Sequence, residues 1–582
     1  MGRRQFSLLL IKPSHYDDDG YVIQWLRSAV PSNSLAVMNG LAVDCKQRHV
    51  LGNGIDINIS SMDEDNTRIR TDRIVREMAG SPGLVVLVGV QSNQFPRAMD
   101  IARPLRAAGI QICLGGFHVS GSLSMLGGIT PELQEAMDLG ISLFAGEAEE
   151  GRLDQVLRDA RDRTLKPLYN YLDDLPSLEG APMPMLPADT IRGTIGKYTS
   201  FDAGRGCPFQ CSFCTIINVQ GRKSRRRTVD EIEQVIRRNL AQGVGRFFIT
   251  DDNFARNTDW EKIFDRIIAM REQEGLNIKF MIQVDTMCHR LPHFIEKAGR
   301  AGVRRVFIGL ESINPESLMG ARKKQNKIAE YRRMLLEWKR AGAIIFAGYI
   351  IGFPQDTRES VLEDIRIIQR ELPIDLLEPH CLTALPGSED HQKLHKAGEH
   401  LDPDLNKYDL EHVTTTHAQM SAAEWQELYR DTWKGFYSLE HMETVLRRAA
   451  ATGIDVTNMM VLLVWFHFCI VFEKIDPLQG GYLRRKYRND RRPTMPRENP
   501  FVFYPRCVAD TVYKHFRMAQ LAWRFHRFAS HLKNDPDSSK YTDVALTADQ
   551  PDATDVLDLL TAHVPHLIPV DVLKKAAQSA VR

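Results

Sequence analysis

The stretch GRGCPFQCSFC, residues 204–214, places three cysteines within eleven positions and supplies no fourth. Cys207, Cys211 and Cys214 form a C-x3-C-x2-C array with Phe213 inside it. Structural zinc is usually closed by four protein ligands, often as paired CxxC motifs, and that pairing is absent here. A zinc site would need a distant ligand, for which Cys288 and His289 are the candidates. The alternative is a 4Fe–4S cluster, a centre held by cysteine thiolates. Three protein ligands would leave one iron open, and an open position is what a catalytic centre requires.

Composition sets the frame for this loop. The chain has 582 residues, room for three or four domains of about 150 residues each. Its 43% apolar and 26% charged content is that of an ordinary globular protein. With 75 Lys and Arg against 74 Asp and Glu, no long-range field draws the whole molecule to nucleic acid or to an anionic membrane. Nine scattered cysteines are too few for a disulfide framework and suit a reducing compartment. At the N-terminus, FSLLLI is too short for a signal sequence and is closed by Lys12 and Pro13. The myristoylation pattern fails at Phe6. The longest apolar run, MMVLLVWFHFCIVF at 459–472, falls short of the roughly 20 residues of a membrane span and reads as a buried or interfacial helix. The expectation is a cytoplasmic protein with no transmembrane segment.

Before the cysteine loop, short apolar runs alternate with amphipathic stretches. FSLLLI (6–11) precedes YVIQWLRSAV, LVVLVGV (84–90) precedes PRAMDIARPLRAAG, and IQICLGG (110–116) and ISLFAGE (141–147) follow. Continuous apolar runs between helical patterns indicate a parallel sheet covered on both faces. Such sheets bind ligands beyond the carboxyl ends of their strands. Those ends carry Ser92 and Asn93, Gly115-Gly116-Phe117-His118, and Gly146-Glu147. A proline-rich linker, LDDLPSLEGAPMPMLP (172–187), separates this region from a second alternation. There RFFITDD, IKFMIQVD, RVFIGLES, IIFAGYIIGFP and LEPHCLTALPG read as strands with helices between them. Beyond about residue 400 helical patterns dominate. The fold class expected is α/β: an N-terminal doubly wound, Rossmann-like parallel sheet (1–160), a linker (161–195), a central partial β/α barrel (196–400) and a mostly α-helical C-terminal domain (401–582).

A CxxxCxxC loop after the first strand of a β/α barrel, with an aromatic residue before the last cysteine, resembles the radical S-adenosylmethionine (radical SAM) superfamily over about residues 196–390. In that family the open iron chelates the amino and carboxylate groups of S-adenosylmethionine, and reductive cleavage yields a 5′-deoxyadenosyl radical. The resemblance makes Cys207, Cys211 and Cys214 the 4Fe–4S ligands. It places Phe213 beside S-adenosylmethionine. It also assigns to that cofactor Asp251, Asp252 and Asn253, which stand where many members have a GGE-type turn. Gln283 and Asp285, two apart on one strand face, follow at the third strand end, and Glu311 and Ser312 at the fourth. Gly348 and Gly352 of GYIIGFP match the fifth-strand motif near adenine.

The front region is similar to the cobalamin-binding domain fused to many radical SAM enzymes, on the strength of ICLGGFHVS and LFAGEAEE. That likeness assigns Ser92, Asn93, Gly115, Gly116, Phe117, His118, Gly146 and Glu147 to cobalamin. A nucleotide or flavin fold is the alternative. The DxHxxG motif that supplies a lower axial imidazole in some cobalamin proteins is absent. Together the cofactors imply methylation of an unactivated carbon on a small-molecule or lipid-like substrate, with an external electron donor of flavodoxin or ferredoxin type. Cyclisation, oxidative or RNA-modifying outcomes, and a zinc-stabilised binding protein, are the rivals. The basic stretches GRKSRRR (221–227) and RRKYRNDRR (484–492) read as solvated or salt-bridged faces rather than a nucleic-acid site. The aromatics Trp465, Phe466, Phe468, Phe472, Tyr504 and Trp523 are either helical core or the lining of a pocket for a bulky apolar substrate.

Overall fold

The computed structural model describes residues 4–547. Met1, Gly2 and Arg3, and the last part of the expected C-terminal domain, lie outside the described residues. The chain divides into two compact units. The first runs to Ile282 and takes in Thr383–Thr415 and Glu473–Arg517; the second holds Gln283–Leu382, Thr416–Phe472 and the chain from Met518.

In chain order the strands of the front region are β1 (Arg4–Lys12), β2 (Trp25–Ser28), β3 (Ile55–Asp63), β4 (Gly83–Leu87), β5 (Gln111–Gly115), β6 (Ser142–Ala145) and β7 (Leu168–Asn170). All but β2 join one sheet in the order β3-β1-β4-β5-β6-β7, every pairing parallel. Alternate residues of a strand face opposite sides. Leu8, Leu10, Leu84 and Val86 therefore enter one core, while Leu9, Ile11, Val85 and Leu87 enter the other. Burial on both faces explains why these strands read as unbroken apolar runs. Strand order reverses at β1, the switch point at which doubly wound sheets bind ligands.

One stretch departs from its local pattern. YVIQWLRSAV, amphipathic in sequence, contains β2 instead of a helix, and β2 pairs antiparallel with Gly481–Arg484. Trp25 is fully buried there, and Gly481 leaves the room: a Cβ on it would lie 2.1 Å from the indole Cγ. A partner some 450 residues away in the chain overrides the local periodicity. The linker segment 172–187 has no helix or strand, yet it is strapped to the helix Asn33–Gln47. Asn39 donates to Met185 O (2.6 Å), and Leu178 and Leu186 are fully buried.

The first unit continues with β8 (Tyr198–Phe201), the ribbon of β9 (Gly204–Arg205) and β10 (Arg225–Arg226), then β11 (Arg246–Ile249) and the start of β12 (Lys279–Val284). β8, β11 and β12 run parallel. The helix Val229–Ala241 between them opens with a capping box, Thr228 and Glu231 satisfying each other's backbone N–H groups. In the second unit β13 (Val303–Glu311), β14 (Ile344–Ile351) and β15 (Leu376–Cys381) are parallel neighbours, followed by the helices Ala422–Phe436, Leu439–Ala451 and Val456–Phe468. The last continues through a π turn to Glu473. The apolar helix is thus longer than the run read from sequence. Among the described residues Val456–Glu473 is the one helix long and apolar enough to cross a membrane, with half of that window buried inside the protein.

Trp425 of the second unit fills the space beside Gly352, where φ is +106° and a Cβ would lie 1.9 Å from the indole. Backbone strain and overpacking then act together. Gly352→Ala should lower stability by about 3 kcal/mol, read as a fall in the urea midpoint of tryptophan fluorescence. An unchanged midpoint would show that the indole can move aside.

Candidate functional site

The cysteine loop is built on a closed base. β9 and β10 pair antiparallel through Arg205 with Arg225 and Gly204 with Arg226, so the residues between them leave and return at one point. Gly206 opens the loop at φ +95°, with a hypothetical Cβ only 2.5 Å from Lys223 O. Only glycine fits such a position. Cys211 is buried and Cys207 and Cys214 half-buried, and none of them forms a disulfide. Ser212 donates to Asp390 Oδ2 (2.9 Å) and Asn218 to Gly387 O (2.9 Å), which fixes the outer side of the loop.

The donor set is all sulfur. Among the described residues no three His, Cys, Asp or Glu side chains converge as one metal ion requires. Three thiols spread over one loop suit a cube in which each ligated iron takes one thiolate. His289, the candidate fourth zinc ligand, has its ring nitrogens 3.0 Å from Thr286 O and 3.0 Å from the Glu330 carboxylate.

Asp251 and Asp252 lie under the loop. Asp251 accepts the N–H groups of Ala203 (2.7 Å) and Gly204 (2.8 Å), and the Asn257 amide (3.3 Å). Asp252 takes the Gly206 N–H at 3.4 Å. Burial pushes the Asp251 carboxyl up to about 7 and Asp252 up to about 6. In this structure the pair organises the base of the cysteine loop. Asn253 is buried at the start of the turn Phe254–Arg256.

The second unit carries the remaining residues matched to the S-adenosylmethionine motifs. Asp285, just past the end of β12, accepts the Met287 N–H (2.7 Å), and Gln283 stands on β12 two residues before it. β13 bulges between Gly309 and Glu311, and Glu311 adopts φ +65°. A non-glycine residue in that region is strained, a feature that gathers at functional sites. Lys323 pairs with the Glu311 carboxylate and donates to Gly309 O (3.0 Å). Ser312 Oγ accepts the Asn314 N–H (2.9 Å). Gly348 faces Phe307, and Gly352 faces Trp425.

At the carboxyl ends of the first sheet lies a cleft open to solvent. Gly115, Gly116, Phe117, Gly146 and Glu147 line it. Gly116 has φ +151° and a Cβ there would strike Val90 N at 2.1 Å; Gly146 has φ +99°. These glycines keep the rim low, as close approach of a broad ring system demands. The interior is apolar, with Val37, Val86, Val88, Leu153 and Val156, and suits a flat aromatic tail. The glycine rim and apolar interior of the cleft therefore fit cobalamin in chemistry. Ser92, Asn93 and His118 do not line it. His118 is turned into the protein, 3.1 Å from Ser92 Oγ and tilted against Phe95 with ring centroids 4.5 Å apart. Asn93 faces an adjoining polar cavity with Lys12, Ser14 and His15.

What sequence reading missed is the bond between cleft and loop. Arg205, next but one before Cys207, donates to Glu147 (2.5 Å), Glu149 (2.7 Å) and Asp202 (3.0 Å), and all four are more than nine-tenths buried. Arg225 also pairs with Glu147 and donates to Pro176 O (2.8 Å). Burial alone would raise the Asp202 carboxyl, but Arg205 and Arg227 hold it below the usual range. Arg205, Val219 and Gln220 of the loop region line the cleft themselves. The signal was present as GRGC and as the second acid of GEAE. The basic stretch 221–227 is accordingly no phosphate surface at its core: Arg227 is fully buried and donates to Asp202 O and Ala181 O.

Comparison with known proteins agrees with this geometry. Residues 203–368 match the family model described as the Radical SAM superfamily. The bacteriochlorophyllide d C-8(2)-methyltransferase of Chlorobaculum tepidum is 25% identical over 56% of this chain and 72% of its own. The hopanoid C-2 methylase of Rhodopseudomonas palustris is 23% identical over 63% of this chain and 68% of its own. The solved structure of the cobalamin-dependent S-adenosylmethionine radical enzyme OxsB with aqua-cobalamin superposes with a TM-score of 0.52 at 11% identity, over 96% of this chain and 84% of that one. Residues 203–368 are a radical SAM domain, and the protein that carries it is an enzyme. The described residues share the fold of that solved structure.

Replacing Arg205 leaves three buried carboxylates short of a cation, which costs about 3–5 kcal/mol for a broken buried pair. Arg205→Met should therefore raise hydrogen exchange at 146–150 and 203–214 together. Arg205→Lys, with charge but no fork, should fall between. Exchange rising at only one of the two segments would show that they are not coupled.

Proposed function

We propose that this enzyme is a cobalamin-dependent C-methyltransferase that acts on an unactivated carbon of a small-molecule or lipid-like substrate. The observation that carries the reading is the fixed adjacency, inside one unit, of a three-cysteine loop and a glycine-rimmed apolar cleft, joined through Arg205. The relatives' names add support, since both specify methylation at a numbered carbon, of bacteriochlorophyllide d in one and of a hopanoid in the other. When bound, the 4Fe–4S cluster with S-adenosylmethionine supplies a 5′-deoxyadenosyl radical, and cobalamin supplies a methyl group for the substrate carbon.

The chain's own groups have definable tasks in this reading. Cys207, Cys211 and Cys214 bind three irons and leave the fourth for a small-molecule ligand. Phe213 packs near that ligand. Gln283, Asp285, Glu311, Ser312 and Gly348 are the residues that the family motifs would assign to S-adenosylmethionine. Gly115, Gly116 and Gly146 admit the corrin, and Arg205 keeps the loop in register with the cleft. Reduction needs an external one-electron donor of the flavodoxin or ferredoxin type. Nine cysteines, none in a disulfide among the described residues, support a reducing, cytoplasmic setting. An RNA substrate is disfavoured because Arg225 and Arg227 are engaged internally, and Arg484 and Arg492 are paired with Asp17 and Asp404.

The test is oxygen-free purification with added cobalamin, followed by reduction in the presence of S-adenosylmethionine. Wild-type protein should be brown and form 5′-deoxyadenosine. Cys207→Ala should lose the cluster absorption and all 5′-deoxyadenosine while keeping the corrin bands. Stoichiometric zinc without cleavage would overturn the reading, as would cleavage retained in the variant.

A further inference from the structure

Among the described residues, the helix Pro500–Asn534 leaves a row of large apolar side chains uncovered along its first five turns. Phe501, Tyr504, Val508, Val512 and Phe516 recur every three or four residues, so they share one side of the helix. Their exposures are 88, 58, 63, 63 and 59%. Phe503, on the opposite side, is buried and packs on Tyr21 with ring centroids 5.3 Å apart. The helix is thus anchored by one face and presents the other. A continuous exposed row of this kind marks an interaction surface.

Charge selects the occupant. Between residues 484 and 517 there are ten Lys and Arg and three Asp and Glu, in a chain whose totals are nearly equal. Asp17, Asp19, Asp404 and Glu473 neutralise part of this excess. Among the described residues Arg485 and Arg497 make no ion pair with an acidic side chain. Two copies laid stripe to stripe would bring like charges together. An anionic bilayer surface instead offers complementary charge beside an apolar layer into which Phe501, Val508 and Phe516 can sink. We propose that the first five turns of this helix lie in the plane of an anionic membrane surface, with the stripe at the acyl boundary and the segment from residue 484 against the headgroups. The helix's own exposure and charge carry this inference, and it stands whether or not the methyl-transfer reading does.

Flotation of the full chain with vesicles tests it, using pure phosphatidylcholine and phosphatidylcholine with about 30% phosphatidylglycerol. The wild type should float with the anionic vesicles and far less with the neutral ones, and added salt should release it. Phe501→Ser, Val508→Ser and Phe516→Ser combined should cut the bound fraction by about tenfold, with unchanged circular dichroism and unchanged 5′-deoxyadenosine formation. Arg485→Ala with Arg497→Ala should weaken the preference for anionic lipid. Absence of flotation with either vesicle overturns the inference, and so does flotation of the triple variant at the wild-type level. It also fails if the triple substitution converts a wild-type dimer to a monomer, because the stripe then belongs to a second copy. Flotation seen only after truncation beyond Thr547 would assign the stripe to the chain's own C-terminal segment and overturn it likewise.

Discussion

Three buried carboxylates around one guanidinium fix the relation between the sheet and the cysteine loop. Glu147 and Glu149 come from the turn after β6, Asp202 from the end of β8, and Arg205 from the strand that leads into Cys207. Removed from water, such acids repel one another and lose hydration, so they gather only around a cation with enough donors. Arginine presents its five N–H groups in a rigid planar fork and cannot be deprotonated. Lysine in the same place could answer the charge but not all three directions. The cleft and the loop are consequently parts of one construction, although they come from regions that read in sequence as separate domains.

A second constraint acts on backbone rather than on charge. The loop must leave the sheet and return to it within the width of a two-residue ribbon, which exposes N–H groups at its base. Asp251 accepts two of them and Asp252 lies beneath a third. Buried donors without acceptors are costly, and a short carboxylate just past the end of β11 reaches them. This gives a structural reason for acids in TDDN that does not require a ligand. The adjoining glycines serve the same economy of space: Gly206 turns the chain under Lys223 O, and Gly116 lies against Val90 N.

The helical part of the chain has a different logic from the sheets. Met459, Leu463 and Phe466 of Val456–Phe468 are buried, as are Trp425, Trp433 and Tyr437 around the preceding helices. These aromatics are core. Tyr504 and Trp523, read in sequence as members of the same group, are instead exposed. Composition alone could not separate the two sets, because an aromatic residue in a helix looks the same whether its face is covered or bare.

The sequence by itself determined the cysteine spacing, the parallel sheet and the glycine-rich strand ends. Each is a local property: ligand type, continuous apolar runs buried on both faces, and positions where a Cβ has no room. Tertiary structure alone decided which polar residues meet. His118, four positions into a glycine-marked strand end, turns inward to Ser92 and Phe95, whereas Glu149 and Arg205 converge. YVIQWLRSAV has helical spacing, but its Trp25 pairs across to Gly481–Arg484. The physical reason is common to these cases. Side-chain direction and strand pairing depend on neighbours far away in the chain, and no local period records them.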